Sequence, residues 1–295
     1  MKLKEIGEEQ KILVSICCLT YNHEKFIARS IESMLSQVTN FNFEILINDD
    51  FSQDSTKSIL LDYQKKYPSI IKPIFQKENI FSTQKYGVRM NPKFNFPRAR
   101  GKYIALCEGD DYWGSNNKLQ EQVDFLELNP LYSGAYHDTD MVDELGNNLG
   151  SFRSNLPDLL TIEDTIAIYA PFHNSSFLFR KDCFSEPEFL NNIRSGDMAQ
   201  FSIVTAKGDL KKIQGIKSYY VKHPGGITNS TSLVNNYHYD RIHLVKMLNN
   251  FHEMKFTKKA KKVINFHKRQ IYLLKYQNTW MEKIVSKFLT LRYPI

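Results

Sequence analysis

The chain has 295 residues, 42% of them hydrophobic and 24% charged, with a net charge of +7. That is enough to bury a substantial core, and it excludes a disordered, collagen-like or disulfide-stapled chain. The four cysteines show no paired metal spacing and read as buried free thiols of a reducing compartment; no apolar run approaches the ~20 residues of a membrane span. The N-terminal MKLKEIGEEQK is too polar for a secretory leader, so the expected setting is cytoplasmic. The charge is uneven. Residues 236–295 hold 10 Lys and 3 Arg against Asp240, Glu253 and Glu282, so the rest of the chain is slightly acidic.

In chain order, Ile12 to Thr20 is a near-continuous apolar run, as expected of a strand covered on both faces of a parallel sheet. It breaks at Tyr21-Asn22-His23, and Phe26, Ile27, Ile31, Met34 and Leu35 then fall on one helical face. Phe43 to Ile47 is a second strand, ending in Asn48-Asp49-Asp50, with Ser52 suited to cap a helix through about Lys66. Ile70 to Gln76 forms a third strand, followed by a basic irregular stretch to Arg100. Tyr103 to Cys107 runs directly into Glu108-Gly109-Asp110-Asp111, three carboxylates within four residues. Asn116 or Asn117 opens a helix to Leu128.

Beyond residue 130 the spacing predicts strands over 133–142, 175–180 and 212–221. A Thr161–Asp164 capping box should start a helix to about Tyr169, and Gly196-Asp197 should open a helix to about Lys207. From Asn236 the chain reads as basic helices with interleaved aromatics, including Phe251, Phe256, Phe266, Tyr272, Tyr276 and Trp280. The alternation predicts an α/β fold with a mostly parallel sheet, which binds its ligand at the carboxyl edge.

Clustered carboxylates repel unless a cation sits among them, and a hard divalent ion shared with a phosphate is the natural partner. A solvated acidic turn is the plain alternative. Asp50 could equally be a helix-capping residue, Tyr21 a core aromatic, and His223 in HPGG an ordinary loop residue. His173 reads either as acceptor-pocket lining or as a satisfied core histidine.

The order CLTYNHEKFIARSIESMLSQ, FEILINDDFSQDST, then GKYIALCEGDDYW with KLQEQVDFLELNP resembles family 2 of the inverting glycosyltransferases. The resemblance is dense over about 11–130, looser to 235, and does not reach the tail. It implies a GT-A fold, a nucleotide diphospho-sugar donor (UDP-linked in many members) and Mg²⁺ or Mn²⁺. By the same resemblance Thr20, Tyr21 and Asn22 meet the nucleotide, Asp50 accepts from the uracil N–H, and Asp49 holds the strand end. Asp110 and Asp111 match the DxD-type pair, with Asp111 favoured as metal ligand and Asp110 directed to ribose, sugar or metal; Glu108 stands where many relatives have Asp. Asp197 matches the catalytic base, with Asp138, Asp140 and Glu186 as rivals, and His223 matches a loop histidine that reaches metal or diphosphate. The Arg-Asn pair of many relatives is about Pro92-Lys93 here, leaving Arg89, Lys93, Arg98 or Arg100 as substitutes.

The expected domains are a catalytic unit over 1–235, with donor half 10–130 and acceptor half 131–235, and a helical extension over 236–295. The expected acceptor is a hydroxyl of a saccharide or lipid-linked saccharide in bacterial surface-polysaccharide synthesis. The tail suits either an anionic inner membrane face, making the enzyme peripheral there, or packing on the core or a second subunit. No nucleic-acid motif accompanies it. The rival functions are a non-catalytic nucleotide-fold scaffold and a nucleotidyltransferase, and Tyr21-Asn22-His23-Glu24 is not the Gly-rich loop the latter needs.

Overall fold

The computed structural model describes residues 11–83, 89–226, 231–276 and 293. Strands β1 (Ile12–Thr20), β2 (Asn42–Asp49), β3 (Ile71–Phe75) and β4 (Tyr103–Leu106) run parallel in the order β3-β2-β1-β4. The sheet continues through β9 (Leu178–Arg180), antiparallel to both β4 and β6 (Gly134–Asp143). Strand β10 (Leu210–Lys222) lies parallel to β6, and β5 (Tyr112–Trp113) closes the edge antiparallel to β10. Two short strands, β7 (Asn148–Ser151) and β8 (Leu159–Leu160), pair with β6 and β10.

The period of two explains the layers. Val14, Ile16 and Cys18 of β1, Ile45 and Ile47 of β2, and Tyr103 and Ala105 of β4 belong to one buried cluster. Helices α1 (Ile27–Leu35), α2 (Thr56–Lys66) and α3 (Lys118–Leu128) bury Ile27, Ile31, Met34, Leu60, Leu119 and Val123 in that cluster. The alternate residues Cys17, Leu46, Ile104 and Leu106 face an aromatic layer of Phe172, Phe177, Phe179 and Phe201, the last from α5 (Gly196–Thr205).

The register sets the functional edge. Thr20 pairs with Asp49 and Cys17 with Leu106, so β1, β2 and β4 all deliver their polar ends to one side. Two basic residues from the irregular stretch are consumed by this scaffold. Arg98 donates to the Lys72 and Ile47 carbonyls at 2.8 and 3.0 Å, and Arg100 pairs with buried Glu44 at 2.8 Å. Neither is placed to act as a diphosphate contact.

Four sequence expectations change. Helix α2 begins at Thr56 after Ser55, because Ser52 is bound to the Asp49 carboxylate and to the Asn22 N–H instead. The Thr161–Asp164 capping box is present, but α4 (Ile162–Thr165) is a single turn rather than a helix to Tyr169. The strand expected from Ser175 begins only at Leu178, since Asn174–Ser176 forms a 3₁₀ turn.

The fourth concerns the extension. Helix α6 (Thr231–Phe251) begins before Asn236, and Leu244 and Leu248 pack beside Met198, Ala199 and Ile203 of α5. Burying each such leucine contributes about 1.5–3 kcal/mol. Helix α7 (Thr257–Tyr276) follows, with Ala260 and Val263 against Val245 and Ile166. The apolar face of the described tail therefore meets the domain. Trp280 lies outside the described residues.

Candidate active site

The acidic turn after β4 prolongs the sheet for two more bonds. The Cys107 N–H donates to the Cys17 carbonyl at 3.3 Å, and the Gly109 N–H to the Leu19 carbonyl at 2.8 Å. Glu108 turns inward. Its carboxylate accepts from the Leu19 N–H at 3.2 Å and from Asn174 at 2.8 Å, and burial pushes its pKa up to about 8. Glu108 thus ties the β1 and β4 ends to the turn before β9.

Gly109 is the residue that lets the loops close. A Cβ there would come within 2.9 Å of Thr20 and 3.0 Å of the His23 ring. Gly109→Ala should therefore lower stability by about 1–3 kcal/mol through overpacking, read as a drop in the thermal midpoint. An unchanged midpoint would mean that the β1 loop is not held against this turn.

Asp110 has different partners from Glu108. Its Oδ2 lies 3.1 Å from His223 Nε2 and 3.7 Å from His23 Nε2. One ligand-type atom from each of these three residues falls within a 4.8 Å set. His223 follows β10 directly and is fixed by the Gly226 N–H to its carbonyl at 3.1 Å, with the Phe26 ring 4.4 Å away. His23 is fixed as firmly: its N–H donates to Thr56 Oγ1 at 2.9 Å, and its carbonyl accepts from the Ile27 N–H at 2.8 Å. Burial opposes ionisation of Asp110, but the His223 hydrogen bond and the His23 ring outweigh it and hold the carboxyl below its usual range. Burial lowers the His23 pKa, with the Asp110 carboxylate opposing it.

Asp111 goes elsewhere. It is 2% exposed, its Oδ1 accepts from the Val221 N–H at 3.1 Å, and its Oδ2 lies 3.8 Å from His173. Burial, with Asp110 next, raises its pKa well above the ordinary carboxylate value. The sequence reading favours Asp111 as metal ligand, whereas the structure brings Asp110 together with both histidines and pins Asp111 to β10. The physical reason is β5, which starts at Tyr112 and pairs with Tyr219, drawing Asp111 under the end of β10. His173 is the satisfied core histidine of the two readings: it bonds Ser175 at 2.8 Å, stacks on Tyr220 at 4.4 Å, and burial lowers its pKa to about 4.

On the nucleotide side, Tyr21 is 42% exposed, as a stacking ring would need to be. Thr20 is buried, and its hydroxyl has no hydrogen-bond partner among the described residues. Asn22 sits at φ +55°, and its side chain accepts from the Gln53 N–H at 2.8 Å, so it links two loops rather than facing open space. Asp49 takes both the hydroxyl and the N–H of Ser52, holding the strand end. Asp50 accepts from the N–H groups of Ile80 and Phe81 at 2.7 and 3.0 Å, and it orders the following segment rather than capping α2.

Asp197 is exposed in the first turn of α5. The preceding Gly196 leaves room for Arg89, whose Nη1 would lie 2.2 Å from any Cβ there, and Arg89 donates to the Arg194 carbonyl at 3.0 Å. The Asp197 charge favours the ionised form of Arg89, whose guanidinium lies at Gly196. Two rivals of Asp197 are engaged in ion pairs, Asp138 with Lys212 at 2.9 Å and Asp140 with Lys217 at 2.6 Å, while Glu186 is exposed after the strand β9. Sequence reasoning missed His23 altogether. The available signal was a ligand-type side chain just past the β1 end, at the same edge as the carboxylates.

A mixed, mostly parallel sheet with acidic strand ends gathered on one edge has the arrangement of the GT-A fold. More particularly, residues 15–185 match the model of Glycosyl transferase family 2, and the chain belongs to that family. The uncharacterized protein Rv1520 of Mycobacterium tuberculosis is 38% identical over 133 residues, covering 45% of this chain and 37% of its own. TuaG of Bacillus subtilis, named provisionally as a teichuronic acid biosynthesis glycosyltransferase, is 28% identical over 53% of this chain and 58% of its own. The chain thus spans well under two thirds of these relatives. Among solved structures, S. aureus TarS (residues 1–349) in complex with UDP-GlcNAc superposes with a TM-score of 0.64 at 16% identity, over 96% of this chain and 80% of that one.

Proposed function

We propose that this glycosyltransferase moves a sugar from a UDP-linked donor to a hydroxyl of a saccharide or lipid-linked saccharide, with inversion at the anomeric carbon. The observation that carries the reading is the pairing of Asp110 with His223 at the sheet edge, joined by an exposed carboxylate, Asp197, in the first turn of α5. A divalent cation, Mg²⁺ or Mn²⁺, fits the donor set present, a carboxylate and imidazole nitrogens within one small cluster. Asp110 and His223 would hold it, and when bound it would neutralise charge on the departing diphosphate.

The remaining chemistry belongs to the chain. Asp197 takes the proton of the acceptor hydroxyl as that oxygen attacks the anomeric carbon from the face opposite the diphosphate. One displacement inverts the centre. Tyr21 and Thr20 bound the base pocket, and Asp50 shapes its far wall. Asp111 keeps β10, and therefore His223, in register with Asp110. The UDP donor is supported by the likeness to TarS with UDP-GlcNAc, and a polysaccharide setting by the name of TuaG.

The tail belongs to the proposal as an accessory element. No helix among the described residues is long and apolar enough to cross a membrane. Helix α7 buries Ala260 and Val263 inward and leaves Lys258, Lys261, Lys262 and Lys275 exposed, an arrangement that suits an anionic surface presenting lipid-linked acceptors. The test of the function is metal-dependent release of UDP from a panel of UDP-sugars, with and without saccharide acceptors. UDP binding with no release or transfer across the panel would overturn the catalytic reading in favour of a scaffold.

A further inference from the structure

The cluster at the sheet edge holds one more ligand-type group than the function above uses. His23 Nε2 lies 3.7 Å from Asp110 Oδ2, too long for a hydrogen bond. Two donors bound to one ion through contacts of about 2.1 Å are themselves about 3.0–3.4 Å apart. The 3.1 Å spacing of His223 from Asp110 Oδ2 falls inside that range, and the 3.7 Å spacing of His23 from the same oxygen exceeds it by about 0.3 Å, a shift that a bound ion would close. The two imidazole rings stand edge to face, 86° apart with centroids 6.0 Å from each other, and Nε2 is the atom of each that lies near Asp110 Oδ2.

The backbone has no freedom to move His23 away. Its N–H and carbonyl are both engaged at the start of α1, and its ring lies against Gly109 where no Cβ intervenes. The Nδ1 atom is buried without a hydrogen-bond partner among the described residues, beside the equally unpartnered Thr20 hydroxyl at the same glycine.

We infer that His23 is a third protein donor, making a two-imidazole, one-carboxylate face that favours a transition-series ion such as Mn²⁺ or Co²⁺ over Mg²⁺. The inference rests on the metal–diphosphate reading above and names the ion class it takes. Mg²⁺ prefers an all-oxygen shell and gives up water reluctantly, whereas imidazole nitrogens bind the transition-series ions more strongly. Diphosphate oxygens and water would complete the shell of such an ion.

Mn²⁺ titrated into the full chain with UDP, and followed by pulsed electron paramagnetic resonance, tests this directly. The wild type should show two coupled imidazole nitrogens, and equimolar Mg²⁺ should leave Mn²⁺ in place. H23Q should show one nitrogen and bind Mn²⁺ about tenfold or more weakly, with Mg²⁺ affinity little changed. A single coupled nitrogen in the wild type overturns the role of His23 without touching Asp110 and His223, and needs no variant to fold. Mn²⁺ binding in H23Q equal to wild type overturns it too. No protein-bound Mn²⁺ in the wild type overturns both this inference and the metal reading beneath it.

Discussion

Asp197→Asn should lower sugar transfer by about 10²–10⁴-fold while UDP affinity stays within a factor of two or so of wild type. The substitution keeps the size and the hydrogen-bonding edge of the side chain but removes its ability to take a proton. Asp197 makes this prediction sharp because it is exposed in the first turn of α5 and belongs to none of the strand ends that would hold the nucleotide. A carboxylate at a helix N-terminus also favours the helix, though only by about 0.3–1 kcal/mol, and asparagine serves well in the first turn. The fold should therefore survive. Loss of UDP binding together with activity would show that Asp197 shapes the donor pocket instead. Retained transfer would send the base assignment to another carboxylate.

Asp110→Ala should be nearly as damaging for a different reason. Among the described residues it removes the carboxylate that faces both histidines, leaving no anionic donor in that cluster to hold a doubly charged ion. Divalent-ion affinity should fall by about 100-fold or more, and UDP-sugar turnover by about 10³-fold, the kinetic equivalent of several kcal/mol at the transition state. Asp111→Ala is the informative contrast. Asp111 holds the Val221 N–H and lies under the end of β10, so its loss should first lower thermal stability and misplace His223. Isothermal titration with Mn²⁺ separates the two: binding lost in Asp110→Ala but retained in Asp111→Ala is the expected result. The reverse pattern would return the metal to Asp111.

Much of this was legible in the residues because burial writes a clear pattern. The apolar runs of β1, β2 and β4 are buried on both faces, so their ends, and the polar residues crowded there, could be read as one edge. What could not be read was direction within a turn. Asp110 and Asp111 are neighbours of the same chemistry, and only the pairing of Tyr112 with Tyr219 decides which one is drawn under β10. Ser52 misled for a related reason: it is a good capping residue locally, but Asp49 and Asn22 compete for it from the same edge. His23 was overlooked because a single histidine in a loop carries no pattern. Its meaning depends on Asp110 and His223, 87 and 200 positions further along the chain, meeting it at one point.

The measurement that tests the account most directly is anomalous diffraction from crystals of this chain grown with UDP and Mn²⁺. The account predicts one manganese peak bound by Asp110 and His223 and touching the UDP diphosphate, with the uracil beside Tyr21 and Asp197 facing the open sugar side. A peak on Asp111 with Asp110 turned away, or UDP bound at any edge other than the ends of β1, β2 and β4, would contradict it.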